Sequence, residues 1–269
     1  MRIKINLSFL MLCCLILIGT SANAQVSALP FAQSTNTYVP ITGGTVLGTT
    51  TSDDQRFVDP AVPGGGFADT GNGLPIGFNF NFNGRSYDRF AVNANGWMSL
   101  GQSSSSPSVN INSSSSYQAL SASSAAPAAL QDRFAGFSFD LSGNGFNSEI
   151  RYQTIGTAPN RVCVIQFKNW TDWGSNYADL NFQFRLYELG GIVEIHYGVN
   201  NALGANMTPQ VGLRGDVATD FSNRTTTSNW AATTAGATNT ATCTFSSSSF
   251  PVNGTLFRCE KALRWGTSF

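Results

Sequence analysis

The sequence predicts an all-β protein, an antiparallel β-sandwich of jelly-roll type, and three observations carry that prediction. The first is alternation: Leu180, Phe182, Phe184 and Leu186 are separated by Asn181, Gln183, Arg185 and Tyr187. Successive strand side chains point to opposite faces, so the stretch has one apolar face and one wet face. The second is turn chemistry. Gly190-Gly191 follows, and Val193, Ile195 and Tyr197 resume the alternation against Glu194 and His196. A tight hairpin needs positive φ, which glycine supplies without steric cost. The third is composition: 11% charged and 12% aromatic residues, with 20 Phe in 269 positions. Such a balance, rich in Gly, Ser, Thr and Asn, favours strands and turns over helices. A hairpin with one apolar face then requires a second sheet to cover it.

Residues 1–24 read as a signal peptide. Arg2 and Lys4 precede an apolar run from Leu7 to Ile18, and Ala22-Asn23-Ala24 fits an A-x-A cleavage site. The run is short for a membrane span, and no second one follows, so the expected product is exported, secreted or at the cell surface, without a membrane span. Cys13 and Cys14 lie inside the apolar run, which argues against a lipoprotein cysteine. Losing Arg2 and Lys4 leaves the mature chain slightly acidic. With no Lys/Arg block, nothing points to nucleic acid or an anionic membrane.

Residues 25–258 are expected to form a single sandwich domain. Phe31 to Leu47 holds one or two edge strands interrupted by Pro40 and Gly43-Gly44, and a polar Gly/Pro-rich loop runs from Asp53 to Gly73. Ile76, Phe78, Phe80 and Phe82 alternate with Gly77, Asn79 and Asn81, and Asn83-Gly84 turns the chain into Tyr87–Ala94. Asn95-Gly96 turns it again into Trp97–Leu100, completing a meander. Residues 102–129 carry two four-serine runs and little apolar surface, so a mobile excursion is expected there. Strands follow at 149–155, 161–170 and 210–213, with a last one near 255–258. Residues 259–269 form an atypical tail.

Candidate chemistry is sparse. His196 is the one histidine, no serine sits in a G-x-S-x-G turn, and no Cys/His pair has zinc-ligand spacing. His196 is expected half exposed on its strand. Glu188 and Glu194 flank a hairpin turn and are the carboxylate pair that a sandwich glycoside hydrolase would use, but like charges at a turn are more simply solvated. Cys163 is expected in the core, and Cys243 with Cys259 is the candidate disulfide of an exported chain. No cofactor is required. A structural calcium ion is the one metal the loop acids invite, at Asp53, Asp54, Asp59, Asp69, Asp132 and Asp140, although no EF-hand spacing occurs. The best candidate ligand surface is the loop carrying Trp170, Trp173 and Tyr177, whose rings suit a glycan or a protein partner.

Several stretches together resemble a known family. They are Leu74-Pro75-Ile76-Gly77-Phe78, Val92-Asn93-Ala94-Asn95-Gly96-Trp97, Ser148-Glu149-Ile150-Arg151-Tyr152, Asn160-Arg161-Val162 through Lys168-Asn169-Trp170, and Val211-Gly212-Leu213-Arg214-Gly215. The chain resembles the N-terminal β-sandwich of exported Bacteroidota cell-surface proteins, adhesin-like cargo of type IX secretion often followed by fibronectin type III or Ig-like modules. The resemblance spans most of residues 31–258 and implies a non-enzymatic module for adhesion or scaffolding, with no catalytic residues to carry over. Nothing after Phe257 resembles a further repeat or a sorting domain, which leads to the expectation of a fragment of a larger protein.

Overall fold

The computed structural model describes residues 25–49, 51–112, 117–174 and 178–260. Residues 1–24, read above as a signal peptide, the second serine run and most of the tail lie outside these. Eighteen strands form among the described residues. They begin with β1 (Phe31–Thr35), β2 (Thr45–Gly48), β3 (Arg56–Phe57), β4 (Thr70–Gly71), β5 (Leu74–Phe82) and β6 (Arg85–Asn93). Next come β7 (Trp97–Gly101), β8 (Val109–Asn110), β9 (Arg133–Ser138), β10 (Leu141–Gly143), β11 (Glu149–Ile155) and β12 (Val162–Asp172). The last six are β13 (Leu180–Tyr187), β14 (Val193–Tyr197), β15 (Gln210–Arg214), β16 (Phe221–Thr225), β17 (Thr234–Ala235) and β18 (Thr255–Cys259).

Two antiparallel sheets make the predicted sandwich. The first runs β1-β18-β14-β13-β12-β11-β2, with β10 also on β12. The second runs β17-β16-β15-β9-β7-β6-β3, with β5 also on β6, and β4–β8 is a separate ribbon. The local rules hold where the sequence is most regular. β5 alternates buried and exposed along its whole length, and Asn83 and Gly84 take φ of 48° and 76°, the left-handed pair a type I′ hairpin needs. Between the sheets Phe167 and Phe182 stack at 4.5 Å, and Tyr197 reaches across to donate to the Gly136 carbonyl at 2.6 Å.

The expected wet face of the first sheet is instead covered. β1 and β2 lie at opposite edges of that sheet, and the segment joining them crosses its outer face. Gln183 Nε2 donates to the Val39 carbonyl at 2.9 Å, Gln166 Oε1 accepts from Ile41 N at 2.9 Å, and a His196 ring nitrogen meets the Asn36 carbonyl at 3.2 Å. Polar strand residues thereby bind the crossing backbone as water would have done. Gln166, Gln183 and His196 are 1%, 0% and 0% exposed. His196 is therefore a buried residue, and burial lowers its pKa.

The second sheet is covered in the same manner by the described residues of the serine-rich excursion. Gln210 Oε1 accepts from Leu120 N at 2.9 Å, Ala119 N donates to Ser138 Oγ at 3.2 Å, and Arg133 Nη1 donates to the Ala119 carbonyl at 3.1 Å. Val109, Ile111, Ala119 and Leu120 pack with Trp97 and Ala135 into a second small core. The side chains that anchor these residues belong to β9 and β15, so the excursion's own composition carries no sign of them.

The cysteines also differ from expectation. Cys163, Cys243 and Cys259 are all free and buried, so the Cys243–Cys259 disulfide is not formed. The two are held by different elements. Cys243 bridges Thr226 just after β16, whereas Cys259 ends β18 opposite Phe31 and Val193, inside the strand where the tail was expected to begin. Burial pushes each of the three thiols up to about 12, which leaves them inert. Among the described residues no helix is long and apolar enough to cross a membrane.

Candidate recognition site at one end of the sandwich

The site is built on an asparagine. Asn95, in the β6–β7 turn, is fully buried. Its backbone N–H donates to Asn93 Oδ1 at 2.9 Å, its Oδ1 accepts from Leu141 N at 2.7 Å, and its Nδ2 donates to Asp54 Oδ1 at 2.8 Å. One amide thus ties the turn to the start of β10 and to the Asp53-Asp54 loop. Gly96 makes room for this. Its φ is +80°, and a Cβ there would lie 2.1 Å from the Phe137 carbonyl oxygen, so any side chain would push β9 away. Asp53 bridges Ser142 on β10, and Gly143 N donates to the Ser52 carbonyl at 2.7 Å. Asp54 holds a left-handed φ of 56°, a conformation Asp tolerates better than most residues.

These ties gather Asp53, Asp54 and Asp140, whose nearest carboxylate oxygens all lie within 4.8 Å of one another. None of the three has a basic partner among the described ion pairs. Burial, reinforced by the Asp54 and Asp53 charges, pushes the Asp140 carboxyl up to about 6. Asp53 is raised by burial and by Asp54, an effect the Trp173 side chain offsets in part by hydrogen bonding. One Asp53 oxygen, Oδ1, is buried without a donor. Three hard oxygen donors at this spacing suit a divalent cation, or the positive group of a larger ligand.

Trp173 stands beside this cluster. Its backbone N–H donates to the Asp140 carbonyl at 3.0 Å, and its ring is 58% exposed. A cavity of about 300 Å³ also borders Asp140, lined by Tyr117, Gln118, Phe139, Asp140, Gln210 and threonines 208, 240 and 242.

Residues 29–259 match the NIDO-related family. The chain belongs to that family. NIDO-related domains are nidogen-like, extracellular and non-catalytic in type. No curated protein and no solved structure matches the chain. In this NIDO-related domain the sequence-predicted ligand residues separate. Trp170 is a correction: it is 0% exposed, and its Nε1 donates to the Ala94 carbonyl at 2.8 Å, because β12 continues through Asp172 and carries Trp170 into the core. Trp173, past the strand end, is outside. Tyr177 lies outside the described residues.

The carboxylate candidates separate too. Glu188 is paired with Arg161, whose Nε sits 2.8 Å from its Oε2. Glu194 accepts from Tyr187 Oη at 2.6 Å and from Arg258 Nη1 at 2.7 Å. Each is held in its own ion pair. Asp69 pairs with Arg56 at 3.1 Å, and Asp59 takes Asn72 Nδ2 at 2.9 Å. Asp132 is buried with Tyr87 and Asn83, and burial pushes it up to about 7. Of the loop acids, only Asp53, Asp54 and Asp140 converge. The sequence marks Asn95 as a turn residue and Tyr117 as an anchor beside a serine run, and nothing local points to the place of either at this site.

Proposed function

We propose that this NIDO-related domain is a secreted or cell-surface module, without enzymatic activity, that engages an extracellular partner for adhesion or scaffolding. The observation that carries the reading is the contrast at the loop end: an exposed tryptophan beside three carboxylates that no basic side chain among the described residues neutralises. Structural acids are normally paired, and exposed aromatics next to unpaired charge are the usual makings of a recognition surface. The leader-like N-terminus and the resemblance to exported Bacteroidota surface proteins support export, with the type IX route as the specific version.

A second reading, a carbohydrate-binding module, is favoured by the exposed Trp173 ring, which can stack on a sugar face. It now rests on Trp173, since Trp170 is core. The hydrolase reading has lost its support, because Glu188 and Glu194 are each engaged by an arginine.

The test is a screen of the purified chain against glycan and extracellular-protein arrays, with Trp173→Ala in parallel and calcium present or chelated. Binding that Trp173→Ala abolishes is the expected result. Binding that the variant leaves unchanged would move recognition elsewhere on the surface. No binding by a well-folded wild type would overturn the reading.

A further inference from the structure

The cavity next to Asp140 has a composition that limits what it can take. Two rings, Tyr117 and Phe139, line it with the methyl-bearing side chains of Thr208, Thr240 and Thr242 and with Gln118 and Gln210. Asp140 is the one charged residue among its described lining, and no lysine or arginine shares it. Its volume of about 300 Å³ is far more than a bare metal ion fills; it is nearer the lower range for organic ligands. A carboxylate with aromatic faces around a small apolar-walled cavity is the chemistry that holds an alkylammonium or guanidinium group. The charge behind the wall has the same sign, since Asp53 and Asp54 stand within 4.8 Å of Asp140. A neutral sugar would leave that charge unanswered.

We infer that this cavity receives an organic cation, the side chain of a lysine or arginine presented by a protein partner. The inference rests on the reading of this end as a recognition surface and names the group recognised. The alkyl stem lies against Phe139 and the threonine methyls, and the cationic head meets Asp140 and the Tyr117 ring. Trp173, whose backbone N–H donates to the Asp140 carbonyl, is placed to contact residues flanking the inserted side chain. The groups that face Asp140 and titrate are Asp53, Asp54 and Tyr117, the last raised by burial and by the three carboxylates.

The experiment titrates the purified chain at pH 7.5 with N-acetyl-lysine methylamide and N-acetyl-arginine methylamide, followed by calorimetry and amide chemical shifts. N-acetyl-norleucine methylamide is the uncharged isostere, and N-acetylglucosamine and calcium chloride are the competing chemistries. The two cations are expected to bind in the millimolar range, with shifts confined to the cavity lining, and the norleucine compound is not. Asp140→Asn should weaken cation binding at least tenfold and Tyr117→Ala several-fold, each with an unchanged far-UV spectrum. Lowering the pH to 5 should weaken it as Asp140 takes up a proton. Equal binding of the norleucine compound, preference for the sugar, or calcium binding with no organic-cation binding would each overturn the inference. Its failure is distinct from failure of the adhesion reading. Array binding that depends on Trp173, without cation binding, sinks only the cavity assignment; cation binding without any array partner sinks only adhesion.

Discussion

The two ends of the sandwich handle charge in opposite ways. At one end lie the Asn83-Gly84 and Gly190-Gly191 turns, and there the described carboxylates have partners, Asp216 and Glu188 in ion pairs and Asp132 and Asp220 in hydrogen bonds. Arg85 Nη2 meets Asp216 at 2.8 Å, and the hydrogen bonds from Arg161 lower the pKa of Glu188. Asp220 accepts the backbone N–H groups of Val26 and Ser27 at 3.1 and 2.9 Å, tying the N-terminal segment down. At the other end Asp53, Asp54 and Asp140 face one another, and Asp53 and Asp140 are held above the ordinary carboxylate range. Folding alone favours the first arrangement. The proposed function gives the crowded end a use: its like charges would be answered by a partner.

Three measurements can break or sharpen this contrast. The largest effect is expected at the paired end. Asp220→Ala strips acceptors from two backbone N–H groups, one of them buried, and should cost about 2–3 kcal/mol. The readout is the urea midpoint, with the slope unchanged. A loss below 0.5 kcal/mol, within the usual range for surface substitutions, would show that this end is not what holds the N-terminal segment.

At the crowded end the sign should reverse. Asp140→Asn removes one of three facing charges and should stabilise the chain by about 1 kcal/mol at pH 8, after allowance for solvent screening. The folded pKa, about 6, lies above the unfolded value of 3.8, so the native state binds the extra proton. The wild-type penalty is therefore present above pH 6 and relieved as the pH falls from 6 towards 4. The gain from Asp140→Asn should shrink over the same window. A variant less stable than wild type at pH 8 would mean the carboxylate does structural work.

Trp173→Ala should have the smallest effect on stability, within about 0.5 kcal/mol, because its ring is 58% exposed. The same change should remove partner binding. A large drop in stability would make the tryptophan a cap on the core, the opposite of the role proposed here.

A second pair of regions shows why some of the molecule was legible and some was not. β5 and β13 follow the period-two rule on their core-facing sides, and the Asn83-Gly84 and Gly190-Gly191 turns fall where glycine and asparagine mark them. Their outward sides were not readable. Gln166, Gln183 and His196 look solvated in sequence, yet they bind the backbone of residues 36–41. Arg133 and Arg214 look like surface arginines but are buried, donating to carbonyls of the serine-rich excursion. A strand pattern tells which face is polar. It does not tell whether water or another stretch of chain satisfies that face.

The sequence by itself determined that this is a β-sandwich, where its clearest hairpins turn and that the alternating Phe residues of β5 and β13 face its core. Those features depend on side-chain alternation and local φ, which neighbouring residues fix. Only the tertiary structure decided that Asp140 joins Asp53 and Asp54, that Trp170 is core while Trp173 is surface, and that Cys243 and Cys259 stay apart. Each of these depends on where strands from distant parts of the chain end relative to one another. That relation is set by the pairing of whole sheets and carries no local signature.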